Sequence, residues 1–518
     1  MVSRMKNSNV VFDGRDIQLH EVMALARGLK KAELSEGDEF TTRIQKGVAF
    51  LEALLAEEGV IYGVTTGYGD SCTNFIPAEL VDELPLHLTR FHGCGMGKHF
   101  SHELSVATLA VRLTSLSKGF SGVSYGLLKQ FEMLINEDIA PLIPEEGSVG
   151  ASGDLTPLSY VAAVLMGERQ VYFKGNVRDT KDVFAEQNIQ PITLKPKEGL
   201  AVMNGTAVMT AIACSAWERA EYLSRLTARI TAMASIALKG NSNHFDELLF
   251  AVKPHPGQIQ IADWIRNDVN HHEHPRNSDR LQDRYSIRCA PHVIGVLKDA
   301  LPWMKTNIEN ELNSANDNPI IDGEGEHVLH GGHFYGGHIA FVMDSMKNCV
   351  ANLADLMDRQ MALLMDTKYN NGLPSNLTGA KGDRKMINHG FKAVQIGVSS
   401  WTAEALKGTM PASVFSRSTE CHNQDKVSMG TIAARDCLRV LELTEQVAAA
   451  ALLSVCQGVH LRIEMDDLDT AKLNQAVYTM VQNVLATVDV VEEDRPLEQD
   501  LRRLMSMIQT QSWSLYES

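Results

Sequence analysis

The stretch from Thr206 to Lys239 contains neither glycine nor proline, so nothing in it interrupts a helix. Apolar residues recur along it at helical spacing, at Leu223, Leu226, Ile230 and Met233. At about 1.5 Å per residue, a helix of this length spans roughly 50 Å, which is longer than a small domain is wide. The stretch therefore predicts an elongated helical domain, and Gly240 is expected to end the helix.

Three later stretches repeat this pattern. Apolar residues mark a helix from Ile294 to Leu312, and further helices are predicted over 339–364 and 431–457. The last contains Val447 to Leu453, which is apolar on every side and should therefore be buried all round. We predict a mostly α fold, with an N-terminal domain over 1–205 followed by an elongated up-and-down helical bundle over 206–518, whose core extends across subunits.

Charge and composition exclude several classes of partner. The formal net charge of −16 disfavours nucleic acids and anionic membranes. No long uncharged apolar run predicts a membrane span, and residues 1–16 lack the apolar region of a signal peptide. The eight cysteines form no C-x-x-C pair, which favours reduced thiols and a cytoplasmic protein.

Two glycine-rich runs in the N-terminal third point to a functional site. Tyr62 opens a run with glycines at 63, 67 and 69 and no apolar period, which predicts a loop. A Gly-Ala-Ser-Gly-Asp-Leu run occupies 150–155, where Ser152 or Asp154 could cap a following helix. A third run, 93–97 followed by Lys98, is not a phosphate loop, because His92 and His99 replace required residues.

These runs resemble the aromatic amino-acid ammonia-lyases and aminomutases, which include the histidine, phenylalanine and tyrosine lyases. The resemblance covers nearly the whole chain. It implies that Ala151, Ser152 and Gly153 cyclise, with loss of two waters, into a 4-methylidene-imidazol-5-one (MIO) group. That group would supply the strong electrophile that ordinary side chains lack. The resemblance also implies a fumarase/aspartase-like core, a homotetramer with shared active sites, and no external cofactor or metal.

The resemblance also assigns roles to individual residues. Tyr62 would be the base that removes a β-proton, and Asn204 would hydrogen-bond near the MIO and the substrate amine. A strong motif over 282–288 would place Tyr285 beside the MIO, supported by Gln282, while Arg288 would hold the substrate carboxylate. Taken alone, each of these could be an ordinary aromatic, turn or surface residue.

Further motifs complete the implied site. Asn318 would lie near the carboxylate and Phe334 against the substrate or MIO. His333 replaces an asparagine usual in the family, which leaves its role open. The histidine-rich run at 270–275 has the composition of a metal site, but it is interpreted as a solvated loop.

The substrate is predicted from a few positions. The pair Phe91-His92 is expected to face the aromatic ring and is a hybrid of pairs found in phenylalanine, tyrosine and histidine lyases. Lys392 and Glu420 resemble the plant phenylalanine-lyase pair, and Gln424 replaces a glutamate of histidine lyases. A hydroxyl partner for His92 favours tyrosine. We predict elimination of ammonia from tyrosine to give p-coumarate, then phenylalanine to cinnamate, with histidine to urocanate third.

Three other classes remain open. A MIO-dependent aminomutase would return the ammonia to the β-carbon of the product. A fumarase-type lyase shares long helices, but its serine-rich signature loop is not evident in the sequence. A non-catalytic helical scaffold would lack the near-ultraviolet absorbance of the MIO.

Overall fold

The computed structural model describes residues 9–57, 59–270 and 280–517. It confirms the predicted mostly α fold. The helices, in chain order, are α1 (Leu19–Ala26), α2 (Asp38–Ala56), α3 (Leu84–Phe91), α4 (His102–Ser117), α5 (Tyr125–Asn136), α6 (Leu155–Leu165), α7 (Thr180–Gln187), α8 (Glu198–Met203), α9 (Ala207–Ala237), α10 (Glu247–Ala251), α11 (Pro256–Asp268), α12 (Tyr285–Arg288), α13 (Ala290–Leu312), α14 (Gly337–Met365), α15 (Lys392–Lys407), α16 (Gly430–Glu464), α17 (Gln475–Thr487) and α18 (Glu498–Gln509).

The strands are short and form small sheets of two or three strands. They are β1 (Val10–Phe12), β2 (Ala32–Leu34), β3 (Met96–His99), β4 (Ala140–Pro141), β5 (Pro144–Glu146), β6 (Gln170–Phe173), β7 (Asn176–Asp179), β8 (Ile320–Asp322) and β9 (His327–Leu329). β1 and β2 are parallel, whereas β3–β5, β4–β6–β7 and β8–β9 are antiparallel. β6 and β7 form a tight hairpin, with Phe173 opposite Asn176.

The chain divides into two compact units. The first unit comprises Met1–Ala216, Lys305–Asp344 and Pro411–Arg435, and the second comprises Trp217–Met304, Ser345–Met410 and Asp436–Ser518. These units differ from the predicted domains 1–205 and 206–518, because two later segments belong to the first unit. Sequence patterns report only local propensity, so they do not show that a later segment packs with an earlier domain.

The long helices follow the sequence pattern closely. α9 covers almost all of the stretch that lacks glycine and proline, and α16 contains the apolar run from Val447 to Leu453. Every residue of that run is at most 2% exposed within the single chain, as its apolar character predicts. α9 ends slightly earlier than expected: Lys239, rather than Gly240, takes the left-handed backbone conformation, with φ of 51°.

Local signals position the elements around the site. Ser101 and Ser124 cap α4 and α5, accepting the N–H groups of Leu104 and Leu127. Ile61 and Val64 pack with Leu51 of α2 into a buried cluster that anchors the loop between them.

No helix within the described ranges is long and apolar enough to cross a membrane.

Candidate active site

A cavity of about 460 Å³ opens in the first unit. Its volume is typical of pockets that hold small molecules. Most of the predicted site residues line it, namely Tyr62, Phe91, His92, Ala151, Ser152, Asn204, Asn318, Phe334, Glu420 and Gln424. The structure therefore brings together distant parts of the sequence, as the bond between the Asp70 N–H and Glu420, 350 positions apart, illustrates.

Four predicted site residues belong to the second unit and do not line this cavity. Tyr285 and Arg288 bound the short helix α12, and Tyr285 is 71% exposed. The Arg288 guanidinium lies 4.6 Å from the centre of the Tyr285 ring, and its Nε donates to the Asp283 carbonyl at 2.9 Å. Gln282 and Lys392 are both exposed.

The Ala-Ser-Gly segment is sharply bent. Ser152 and Gly153 have φ of 49° and 77°, a conformation that side chains rarely adopt. A Cβ at Gly153 would come within 2.1 Å of the Gly205 carbonyl oxygen, so only glycine fits there. The Gly205 N–H donates to the Ser152 carbonyl at 3.1 Å, and the Asp154 N–H donates to the Gly205 carbonyl at 2.7 Å.

This geometry fits the MIO group that the family resemblance implies. Cyclisation needs a bent chain and an unhindered amide nitrogen, and a glycine at 153 supplies both. Ala151 and Ser152 line the cavity, where a small molecule could reach them. The residues present are therefore compatible with the prosthetic group.

Asp154 holds the segment from behind. Its fully buried carboxylate accepts the N–H groups of Val208 and Met209 at 3.0 and 2.9 Å, and the hydroxyls of Thr431 and Ser148. Asp154 therefore caps the first turn of α9, not the helix that follows it in the sequence, where it makes no side-chain cap. Burial raises its pKa to about 6, although the four donors oppose the shift.

Tyr62 lies on the loop anchored by the buried cluster. Its hydroxyl oxygen accepts the Gly69 N–H at 2.8 Å, and its ring lies edge-on to that of His330, 6.5 Å between centres. Burial raises the pKa of Tyr62, the Gly69 bond opposes this, and the charge of Glu420 raises the pKa further. The phenol is therefore protonated at neutral pH, and forms its basic phenolate more readily as pH rises.

The two site asparagines are bonded to each other. Asn204 Nδ2 donates to the Asn318 carbonyl at 2.9 Å and lies 3.4 Å from Asp317 Oδ1. Asn318 Oδ1 accepts the Gly331 N–H at 2.8 Å. The Asn318 side-chain NH₂ remains as a donor for a ligand, since no acceptor for it is found within the described ranges.

A strained turn forms one wall of the cavity. Glu420, Cys421 and His422 all have positive φ, between 51° and 66°. The turn presents the Glu420 carboxylate to the Asp70 N–H at 3.0 Å and so ties the two loops together. Gln424 Nε2 lies 3.4 Å from Ser152 Oγ, which places its amide beside the reactive segment.

His92 ends α3 and lines the cavity with Phe91, their ring centres 4.3 Å apart. Its Nδ1 bonds to the Leu88 carbonyl at 3.0 Å, so this nitrogen carries the proton in the neutral ring. Burial lowers the pKa of His92, which keeps the ring neutral and leaves Nε2 as an acceptor.

The cavity also contains residues that the sequence motifs did not single out. Tyr68, Cys72, His330 and Lys426 contribute to its walls. Tyr68 and Cys72 continue the glycine-rich run that Tyr62 begins, so that run was the available signal. His333, the substituted asparagine position, is exposed and does not line the cavity, whereas Phe334 does.

A metal centre can be assessed only in the described part of the chain. No group of three or more metal-binding side chains occurs among the described residues. Most of the histidine-rich run at 270–275 lies outside the described residues, so its interpretation as a solvated loop stays a prediction.

Comparisons with known proteins agree with this geometry. The profile of the aromatic amino acid lyase family matches residues 17–483. The histidine ammonia-lyase of Bos taurus is 37% identical over 92% of this chain and 72% of its own length.

Two solved structures share the fold closely. The tyrosine aminomutase of Streptomyces globisporus superimposes with a TM-score of 0.89 at 30% identity, covering 98% of this chain and 97% of the other. The histidine ammonia-lyase of Trypanosoma cruzi gives 0.87 at 30% identity, covering 98% and 94%. The chain belongs to the aromatic amino acid lyase family and is a carbon–nitrogen lyase.

Proposed function

We propose that the protein eliminates ammonia from histidine to give urocanate, using a MIO group formed from Ala151, Ser152 and Gly153. The similarity to histidine ammonia-lyases across most of the chain is the observation that carries the choice of substrate. The preference for tyrosine inferred from Phe91-His92 finds no support in these relatives. The Nδ1 of His92 is bonded to the Leu88 carbonyl, so Nε2 is left as an acceptor, which would serve an imidazole N–H as well as a phenol hydroxyl.

The cavity chemistry supports an imidazole ring. His92 Nε2 is an acceptor, and Glu420 contributes a carboxylate to the wall of the same cavity. An imidazole N–H is a donor that such groups can bind, and a carboxylate also favours a partly cationic ring. Glu420 thus offers a carboxylate even though Gln424 replaces the glutamate expected of histidine lyases. A phenylalanine ring would leave His92 Nε2 without a donor.

We propose the remaining roles from the family resemblance, and the contacts around Tyr62 and Ser152 support them. Tyr62 Oη takes the β-proton, and the Gly69 N–H stabilises the phenolate that must form first. Asn318 Nδ2 and Arg288 bind the substrate carboxylate, while Asn204 and Gln424 orient groups beside Ser152. The MIO, once formed, supplies an electrophilic carbon that no encoded side chain provides. Phe334 and Phe91 cover the substrate ring and exclude water.

We also propose that the active protein is a homotetramer whose sites combine residues from several chains. The cavity lining contains a single basic side chain, Lys426, whereas Tyr285 and Arg288 belong to the second unit. Mixing a Ser152→Ala variant with an Arg288→Ala variant tests this. If chains share sites, co-refolded mixtures regain part of the activity that each variant lacks, and light scattering gives the mass of four chains. Mixtures that stay inactive would contradict the shared site.

The substrate is tested by measuring kcat/KM separately for histidine, tyrosine and phenylalanine, with identification of the product. We expect histidine to be fastest and urocanate to be the product. A higher value for tyrosine or phenylalanine would overturn the choice of substrate. A β-amino acid product would instead assign an aminomutase, the activity named for the structurally similar S. globisporus protein.

Substituting His92 gives a second test. His92→Phe removes the Nε2 acceptor but keeps an aromatic ring, so histidine should lose about 10- to 100-fold in kcat/KM relative to phenylalanine. Leu88→Ile, which keeps the backbone carbonyl, is the matched control and should change this ratio little.

A further inference from the structure

A fully buried ion pair lies behind the cavity. Lys197 Nζ and Asp317 Oδ2 are 2.5 Å apart, and both side chains are 0% exposed. Neither residue lines the cavity. Burial lowers the pKa of Lys197, and the Asp317 carboxylate opposes the shift. Such a pair is weak evidence for stability, because desolvation offsets most of the attraction. Its presence beside the site calls for another role.

The backbone at Lys197 is strained as well. Its φ of 75° is rare for a residue other than glycine and is therefore strained. Strain of this kind persists only where surrounding contacts enforce it, and it is concentrated at functional sites. The Lys197 ammonium therefore contacts Asp317 from a backbone conformation that is unfavourable for lysine.

The other oxygen of Asp317 contacts the site directly. Oδ1 accepts the Asn318 N–H at 2.6 Å and lies 3.4 Å from Asn204 Nδ2. One carboxylate therefore joins the Lys197 ammonium to both of the site asparagines. Holding Oδ2 on the ammonium fixes the direction in which Oδ1 faces the asparagines.

The same pair holds both ends of a short helix. Lys197 immediately precedes α8, and Asn204 immediately follows its last residue. Arg112, itself fully buried, donates to the carbonyls of Ala201 and Asn204 near the C-terminal end. A helix of six residues has little stability of its own, so these side chains determine where Asn204 lies.

We propose that Lys197 and Asp317 are positioning residues that fix the side-chain amide of Asn204 and the backbone of Asn318 for the lyase reaction. Preorganised dipoles act strongly in a site shielded from water, and they lose this effect when they are free to turn. The inference rests on the family activity proposed above, but not on which amino acid is the substrate.

Two neutral double variants isolate the contact to the asparagines. Lys197→Met/Asp317→Asn removes both charges but keeps a side-chain oxygen facing Asn204, whereas Lys197→Met/Asp317→Leu removes the acceptor as well. Methionine is unbranched like lysine, so the backbone strain is the same in both. We expect kcat to be about 10- to 100-fold lower in the leucine variant than in the asparagine variant, with KM changed much less.

Two readouts separate positioning from folding. Thermal unfolding reports stability, and intact mass reports loss of two waters from the Ala-Ser-Gly segment. The matched control is Arg219→Met, which breaks a buried ion pair with Glu445 in the second unit. We expect that control to lose stability while keeping kcat. Equal kcat in the two double variants, or a loss of kcat that follows stability as it does in the control, would overturn the proposal.

Lys197→Gly provides a test that does not depend on the leucine variant folding. Glycine adopts a φ of 75° without strain, so the turn is preserved while the ammonium is lost. We expect a lower kcat despite the relieved backbone, and an unchanged kcat would contradict the proposal. Kinetics use whichever of the three amino acids the unmodified protein converts fastest. If it converts none, the proposed function fails first and this inference fails with it.

Discussion

The two compact units bury charged side chains in different settings. In the first unit, Lys197, Asp317 and Asp154 bond to loops and helix ends beside the cavity. In the second unit, Arg219 on α9 forms a two-pronged pair with Glu445 on α16, at 2.8 and 2.9 Å. The backbone groups inside a helix are already hydrogen-bonded within it, so the Arg219–Glu445 pair links two complete helices. Loops and helix ends have unpaired backbone groups, which buried side chains must satisfy.

The largest effect is expected at Ser152, where chemistry and stability should separate completely. Ser152→Ala keeps Cβ but removes the hydroxyl that must leave as water for the MIO to form, yet within the described ranges that hydroxyl makes a single long contact, to Gln424. We expect turnover to fall by roughly 10³-fold or more, about 4 kcal/mol. The unfolding temperature should be unchanged. Turnover that survives in this variant would contradict the assignment of the prosthetic group.

Asp154 should affect chemistry and stability together. Asp154→Ala leaves the N–H groups of Val208 and Met209 and two hydroxyls without their acceptor, which should lower stability by about 2–4 kcal/mol. Because the carboxylate holds the bent segment, the fraction of cyclised chains measured by mass should also fall. Asp154→Asn keeps one acceptor and should lose less of both. A variant that is destabilised but fully cyclised would show that Asp154 serves the fold alone.

The charge of Glu420, in the first unit, should affect the pH dependence of kcat. The kcat is expected to rise with pH as Tyr62 deprotonates, because burial raises the pKa of Tyr62 above its usual value. The Glu420 charge raises that pKa further, so Glu420→Gln lowers it and should move the rise in kcat to lower pH. Asp425→Asn, in the same cavity, is the control and should leave the profile in place. A shift to higher pH in Glu420→Gln would exclude Tyr62 as the base.

The smallest effect on turnover is expected in the second unit. Arg219→Met leaves the buried Glu445 carboxylate without its cation and should lower stability by about 3–5 kcal/mol. The kcat of the folded protein should stay unchanged, as measured well below its unfolding temperature. A change in kcat larger than the change at Lys197 would break the distinction between the two units.

The sequence predicted the helices better than it predicted the polar contacts. The absence of glycine and proline defined α9, and the apolar run of α16 is buried as expected. Both patterns are local, so they can be read without knowing the tertiary structure. Tyr62 and Ser152 were predicted from their motifs, and they meet in one cavity.

The contacts that the sequence did not reveal are mostly long-range. Lys197 sits in a run of charged residues and prolines typical of a surface loop, and its partner Asp317 is 120 positions away. Propensity cannot indicate such a pair. The His92 contact is different, because Leu88 lies four residues earlier on the same helix. Helical spacing could have predicted that bond, and with it that Nε2 is the nitrogen left for a ligand.

The approach of Gly205 to Gly153 has a consequence for maturation. Their backbones meet only after the start of α9 has docked beside the bent segment, with Gly205 exchanging hydrogen bonds with Ser152 and Asp154. A nascent polypeptide that has left the ribosome only as far as residue 200 lacks Gly205, which packs against the bend. If the MIO forms from this bend as proposed, cyclisation must wait for tertiary assembly, and a chain truncated before Gly205 should stay uncyclised.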